Sequence, residues 1–413
     1  MDFAGGSGAT FWSSDGRRFL DLSSQTMNAL FGQAEPAIAA AVCEQVQSYT
    51  FADQDFVSAP HEAAAADLAA LLPPGLEIVN LRLNDGSDAV ECAIKQCRKA
   101  RGRGRILTVD GIYLGQTTQT LGIRGWGPRR DEILVGSSED VVFAPLPYCF
   151  GEHDPEPCAA ENGDAIVSLL RSHADELACV VLDPVMVSAG VCCAGSLRTV
   201  VSRAVRQARS LGVPVVLDES QSYGWVPEVT LARGWELDVD ALVLGKGVAG
   251  GFPLAACVFK PSLDNLEWGD ADFTNGGHPA SIAALRAACR LIAEGRAAFD
   301  ELVGLLDAVL GEQEARRDDV HTHGVGLIRA IELRIADDRA ENAVLARRVV
   351  GRALDEGVYI RPYGPTLGLK PPRIISPDDL RAGLETLFHV IDDVASEVGD
   401  ARPHDAARRF QPA

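Results

Sequence analysis

Between residues 77 and 244 the chain alternates short apolar runs with longer stretches of helical periodicity. That alternation restricts it to a largely parallel sheet with helices on its faces. The runs fall at 77–83, 105–109, 178–182, 214–217 and 241–244, and the helical stretches at 87–101, 164–173 and 197–211. In open sheets of this kind ligands gather beyond the carboxyl ends of the strands, so residues that end a strand are the first place to look for chemistry. Upstream lie a Ser14-Asp15-Gly16 turn, an apolar run at 19–22 and a helix at 35–49 with Ile38, Val42 and Val46 on one face. An Ala-rich helix at 61–72 is stopped by Pro73-Pro74-Gly75. After Pro279 the pattern changes to amphipathic helices at 280–293, 299–316 and 342–356 around a short strand at 327–333, which reads as a second domain.

Charge narrows the partners. With 58 acidic against 38 basic residues the net charge is -20, which repels both a nucleic-acid backbone and an anionic membrane surface. No window reaches the eighteen or so apolar residues that span a bilayer, and the N-terminus lacks the pattern of a signal peptide, so a cytoplasmic location is expected. The ten cysteines form no CxxC, and the adjacent pair Cys192-Cys193 lacks zinc-ligand spacing; they read as reduced core thiols. No metal is called for, and the polar tail 402–413 is expected to fray.

Three strand ends carry residues that make sense together. Asn84-Asp85-Gly86-Ser87-Asp88 leaves a strand and opens a helix, whose positive end suits a phosphate; an ordinary N-cap on Ser87 or Asp88 accounts for it equally. Val216-Leu217-Asp218-Glu219-Ser220-Gln221 ends a buried strand in two carboxylates, and a buried acid needs a cation such as a protonated ring nitrogen. Leu244-Gly245-Lys246-Gly247 puts one of only five lysines directly after a strand, where desolvation makes an amine nucleophilic toward an aldehyde. The run from Gly245 to Gly250 also satisfies GxGxxG, but Pro253 and the apolar stretch to Phe259 read as a strand and not the helix that a dinucleotide site requires. His321 and His323 read as a loop entering a strand, without a role.

In this order the residues resemble the class III aminotransferases, pyridoxal-phosphate enzymes of the aspartate-aminotransferase-like fold (fold type I), over about residues 15–387. The likeness begins at Asp15-Gly16-Arg17-Arg18-Phe19-Leu20-Asp21-Leu22. It continues through Gly86-Ser87-Asp88-Ala89-Val90-Glu91, Tyr113 before Gly115, and Asp218-Glu219-x-Gln221. It closes on Lys246 with Gly250-Gly251-Phe252-Pro253-Leu254, and on Phe273-Thr274-Asn275-Gly276-Gly277-His278-Pro279. The resemblance implies an α/β fold with a large, mostly parallel-sheet domain at 51–290 and a smaller α+β domain at 291–413, to which 1–50 contributes. It implies that Gly86 and Ser87 hold the cofactor phosphate, that Tyr113 and Ser220 lie on opposite faces of the ring, that Asp218 binds the ring nitrogen and Gln221 the phenolic oxygen. Lys246 then carries the cofactor as a Schiff base and acts as general base, and Thr274 reaches the other subunit's phosphate in a homodimer.

The departures concern the substrate. Leu114 stands where the family usually has histidine, Gln116 where a basic residue is common, and the segment 222–227 lacks the usual arginine. Gly368 occupies the position, three residues before Pro371-Pro372, where many members clamp a carboxylate with arginine; Lys370 and Arg373 are the nearby cations. The usual glutamate has become Asp183, and the glutamine that often follows has become Met186. Transamination between an amino donor and a small or specialised-metabolite ketone or aldehyde is the leading expectation. Decarboxylation, racemisation, amino-group migration and carbon–carbon bond formation use the same assembly. An inactive partner subunit is the remaining reading, opposed by the intact Lys246, Asp218 and Gln221.

Overall fold

The structure, a computed structural model, describes residues 2–401 apart from 54, 57, 127–129, 135–139, 148–154 and 191–193. The Cys192-Cys193 pair and the tail 402–413 therefore lie outside the described residues. Cys92, Cys97, Cys179, Cys257 and Cys289 are buried free thiols, whereas Cys43 is exposed on the helix Pro36–Ser48.

Seven strands form the large sheet: β1 (Ile78–Leu83), β2 (Arg105–Val109), β3 (Val141–Ala144), β4 (Leu177–Leu182), β5 (Val215–Asp218), β6 (Ala241–Leu244) and β7 (Ala255–Phe259). Their spatial order is β1-β7-β6-β5-β4-β2-β3. Neighbours from β6 to β3 run parallel, and β7 is antiparallel to both of its neighbours. Every residue of β4, β5, β6 and β7 is buried, as expected of strands with both faces covered. The reversal at β7 has a simple cause. Only residues 245–254 separate it from β6, too few for a crossover helix, so the chain turns back beside the strand it has just left. That link contains the short 3₁₀ turn Lys246–Ala249, and the strand after it rules out the dinucleotide reading of the glycines.

The helix α1 (Gly86–Arg101) lies against this sheet with Ala89, Val90, Ala93, Ile94 and Cys97 buried, and stops at Gly102, which takes the left-handed conformation. The helix foreseen at 164–173 extends back to Pro155, a residue well suited to a first helical turn. Strand β3 was not anticipated from the sequence pattern.

A second sheet contains Val320–Val325, Ile328–Leu333, Thr366–Leu369 and Arg361–Tyr363 in that order, all antiparallel. His321 and His323 are thus inside a strand, facing Glu332 and Ala330 in register, and not in the loop expected for them. A third sheet joins the N-terminal strands to Val358–Tyr359, which runs parallel to Arg18–Asp21. The chain's two ends are tied further by Lys370 N–H donating to the Leu22 carbonyl at 2.8 Å. A last helix, Pro377–Ala401, buries Leu380, Leu384, Leu387, Ile391 and Val394 at helical spacing. No helix among the described residues is long and apolar enough to cross a membrane.

Candidate active site

At the carboxyl ends of β1, β2, β5 and β6 the chain leaves a cavity of 680 Å³. Gly86, Ser87, Tyr113, Asp218, Ser220, Gln221 and Lys246, seven of the ten residues singled out in the sequence, line it together. Thr274, Lys370 and Arg373 are not among the residues that line it. Thr274 is exposed on the turn before the helix Pro279–Glu294.

The first strand end shows how α1 begins. Asp85 is the N-cap, not Ser87 or Asp88: its carboxylate accepts the Ser87 N–H and hydroxyl, both at 2.9 Å. Asp88 closes the capping box by accepting the Asn84 and Asp85 N–H groups. The Ser87 hydroxyl in turn accepts the Gln116 N–H at 3.2 Å, which pins the loop after Tyr113 to the helix start. Gly115 makes that approach possible. Its φ is +135°, and a Cβ there would stand 2.7 Å from the Ser87 oxygen and 2.5 Å from that of Thr120.

The second strand end separates its two acids by task. Glu219 is fully buried and structural, accepting the Ser222 hydroxyl and the N–H groups of Leu231 and Ala232, while burial pushes its carboxyl up to about 7. Asp218 faces the cavity with one oxygen on the Ser220 N–H at 2.9 Å. Burial raises its pKa, against the opposing pull of Ser220 and Lys246. Asp183 bends the chain after β4 by accepting the Val185 and Met186 N–H groups, and burial, with Asp218 nearby, pushes it up to about 6.

The third strand end delivers Lys246 in a backbone conformation that side chains rarely adopt, φ +45°. Such strain is held in place by its surroundings and concentrates at working sites. Before it, Gly245 packs so closely that a Cβ would stand 3.1 Å from Ser220 Oγ and 3.4 Å from Gly86 Cα. Across the cavity, Tyr113 meets Trp126 edge to face at 5.8 Å, and the Arg124 guanidinium lies 5.4 Å from both rings.

Two cations named from the sequence turn away from the cavity. Arg373 donates to the Gly224 carbonyl and lies 4.5 Å over the Phe299 ring; burial brings its pKa down to about 10. Lys370 is wholly buried behind Gln221. Besides Lys246, the cation that lines the cavity is Arg361, beside Tyr363; neither Trp126 nor Ser188 nor this arginine is singled out by the sequence. Its signal was the Arg361-Pro362-Tyr363 segment just ahead of Gly368.

Residues 2–391 match the profile of the family described as Aminotransferase class-III. The chain belongs to the class III aminotransferases. An acetylornithine aminotransferase of Streptomyces coelicolor is 30% identical over 414 residues, covering 96% of this chain and 92% of that protein. A putative [LysW]-aminoadipate semialdehyde/glutamate semialdehyde transaminase of Pyrobaculum aerophilum is 29% identical, covering 89% and 90%. Among solved structures, the omega transaminase of Pseudomonas jessenii in complex with PMP superimposes with a TM-score of 0.87 at 20% identity, over 97% of this chain and 94% of that one. The taurine:2-oxoglutarate aminotransferase of Bifidobacterium kashiwanohense, in complex with PLP and glutamate, does so with 0.86 at 23%, over 96% and 93%.

This aminotransferase is a pyridoxal-phosphate enzyme of fold type I, and transamination is the reaction of its named relatives. The cavity suits the cofactor on its own evidence. Two glycines of separate strand ends meet against the buried Ser220 Oγ, and a buried carboxylate and a lysine amine face the same space.

Proposed function

We propose that this aminotransferase moves amino groups between substrates that carry a carboxylate, and that Arg361 receives that carboxylate. Register is the observation that supports the reading: Arg361 is paired across the strands with Gly368, the position from which many members present their arginine. The side chain absent from one strand is thus supplied by its neighbour. Among the described residues that line the cavity, Arg361 and Lys246 are the cations. The side chains that act most on Arg361 are the phenols of Tyr359 and Tyr363. Its fork of donors remains suited to an incoming anion.

The individual roles follow the same reading. Gly86 and Ser87 at the start of α1 would hold the phosphate, Tyr113 and Ser220 would bracket the ring, Asp218 would keep a proton on the ring nitrogen, and Gln221 would meet the phenolic oxygen. Pyridoxal phosphate supplies the aldehyde that takes up an amine and a ring that draws electrons from the bonds beside it. Lys246 Nζ, which lines the cavity, would hold that aldehyde. When free, its amine would take the proton from the amine-bearing carbon of the substrate and return it nearby as general acid. Leu114, Trp126 and Phe252 border the substrate side and limit water. Thr274, exposed here, completes the phosphate site of a second copy in a homodimer. Residues 1–50 and 291–413 form the smaller domain around 51–290, the protein works in the cytoplasm, and its acceptor is a small or specialised-metabolite carbonyl compound.

The absorbance of the purified protein with pyridoxal phosphate tests the core of this reading. A Lys246-dependent band is expected, converting to the pyridoxamine form with L-glutamate or L-alanine. Lys246→Ala is expected to lack the band, and a band of equal intensity in that variant would refute the assignment.

A further inference from the structure

A wholly buried lysine that touches no carboxylate is costly to keep, and the proposed chemistry makes no use of it. Lys370 is such a residue. Its Nζ donates to the Met27 carbonyl at 2.9 Å and to the Gln221 amide oxygen at 3.1 Å, and it stands 3.7 Å from the centre of the Trp225 ring. Trp225 is itself fixed by a 3.1 Å bond from its indole N–H to the Pro371 carbonyl. Lys246 and Asp183 are the other charged groups that act on this amine, whose pKa burial holds well below the ordinary lysine value.

Lys370 Nζ, which also donates to the Met27 carbonyl, meets the Gln221 side chain at the amide oxygen and not at the NH₂. With the Gln221 amide oxygen turned back to Lys370, its NH₂ is left for the cavity that Gln221 lines. Without Lys370 the same side chain could turn either an acceptor or a donor to the cofactor.

We infer that Lys370 is a positioning residue that holds Gln221 as a hydrogen-bond donor toward the phenolic oxygen of the cofactor. The inference rests on the placement of Gln221 proposed above. A donor held against an oxyanion makes it a poorer base, so the linked proton of the lysine-bound cofactor leaves at lower pH. Removing the orientation raises that midpoint.

The test is a pH titration of the cofactor absorbance in a double-mutant cycle of the full-length holoenzyme: wild type, Lys370→Met, Gln221→Ala and the pair. Lys370→Met is expected to raise the midpoint by about 0.5 to 1 pH unit when Gln221 is present and by less than about 0.2 when it is absent. A shift of equal size in both backgrounds, or none in either, overturns the inference. If Gln221→Ala alone leaves the midpoint unmoved, the placement of Gln221 fails, and the inference fails with it. If Gln221→Ala moves the midpoint and Lys370→Met does not, only the inference fails. Should Lys370→Met fail to take up cofactor, Lys370→Gln, which retains a donor, decides the matter. A midpoint near that of wild type supports orientation by hydrogen bonding, and an upward shift indifferent to Gln221 overturns it.

Discussion

Replacing Arg361 by glutamine keeps much of the side chain's length and removes its charge and forked geometry. Arg361 is only partly buried, and its donors also serve the phenols of Tyr359 and Tyr363, so solvent and the phenols both dilute its hold on an anion. A hydrogen bond to a charged group contributes about 1.5–3 kcal/mol. At about 1.4 kcal/mol per decade this corresponds to roughly 10- to 150-fold in kcat/KM, and the dilution places the expectation at roughly 10- to 40-fold. Stopped-flow absorbance of the first half-reaction measures it for L-glutamate and L-alanine beside 1-butylamine, which has no carboxylate. The loss should fall on the amino acids and spare butylamine within about threefold, with saturation shifted to higher amino-acid concentration. An equal loss for butylamine would show that the substitution damages the site in general. No loss for any substrate would show that the carboxylate binds elsewhere; either result refutes the role given to Arg361.

Two other substitutions probe the frame of the site. Gly115→Ala places a side chain at φ +135° against Ser87 and Thr120, so we expect a cost of about 1–3 kcal/mol, most of it seen in the cofactor-bound protein. Thermal unfolding with and without pyridoxal phosphate checks this; equal losses in the two states would separate the loop from phosphate binding. Glu219 has a folded pKa of about 7 against an ordinary 4.5, so the folded protein binds the extra proton and Glu219 costs stability increasingly as pH rises between those values. Glu219→Gln should therefore gain relative to wild type from about pH 4.5 to 7, by up to about 3 kcal/mol, and hold a constant difference above that. Denaturant unfolding across the range reads the slope, and parallel curves would contradict the assignment.

The residues visible in the sequence were those whose role is set locally. Asp218 and Lys246 each end a buried apolar strand, and Gly86-Ser87 opens a helix after one, so period and punctuation suffice to place them. Arg361 was hidden because its meaning depends on which residue of another strand it faces, and the pairing with Gly368 is a property of the sheet. Lys370 and Arg373 illustrate the converse error. Nearness in sequence to Gly368 suggested that they share its outlook, yet one lies behind Gln221 and the other against Phe299. The strand carrying His321 and His323 was misread because its polar residues give no clean alternation of inside and outside.

The cavity draws on segments from Thr26 to Tyr363, and Lys370 closes it from behind against Met27. During synthesis at about 5–20 residues per second, the N-terminal strands wait on the order of 20 to 70 s for the strand they pair with. Until then Phe11 and Phe19, which end up fully buried, have no partner sheet to cover them. The pocket is complete only once the chain has reached Tyr363, so the finished cofactor site forms late in synthesis. A chain cut short before Arg361 would retain the lysine and both acids, and still have no closed place to put them to use.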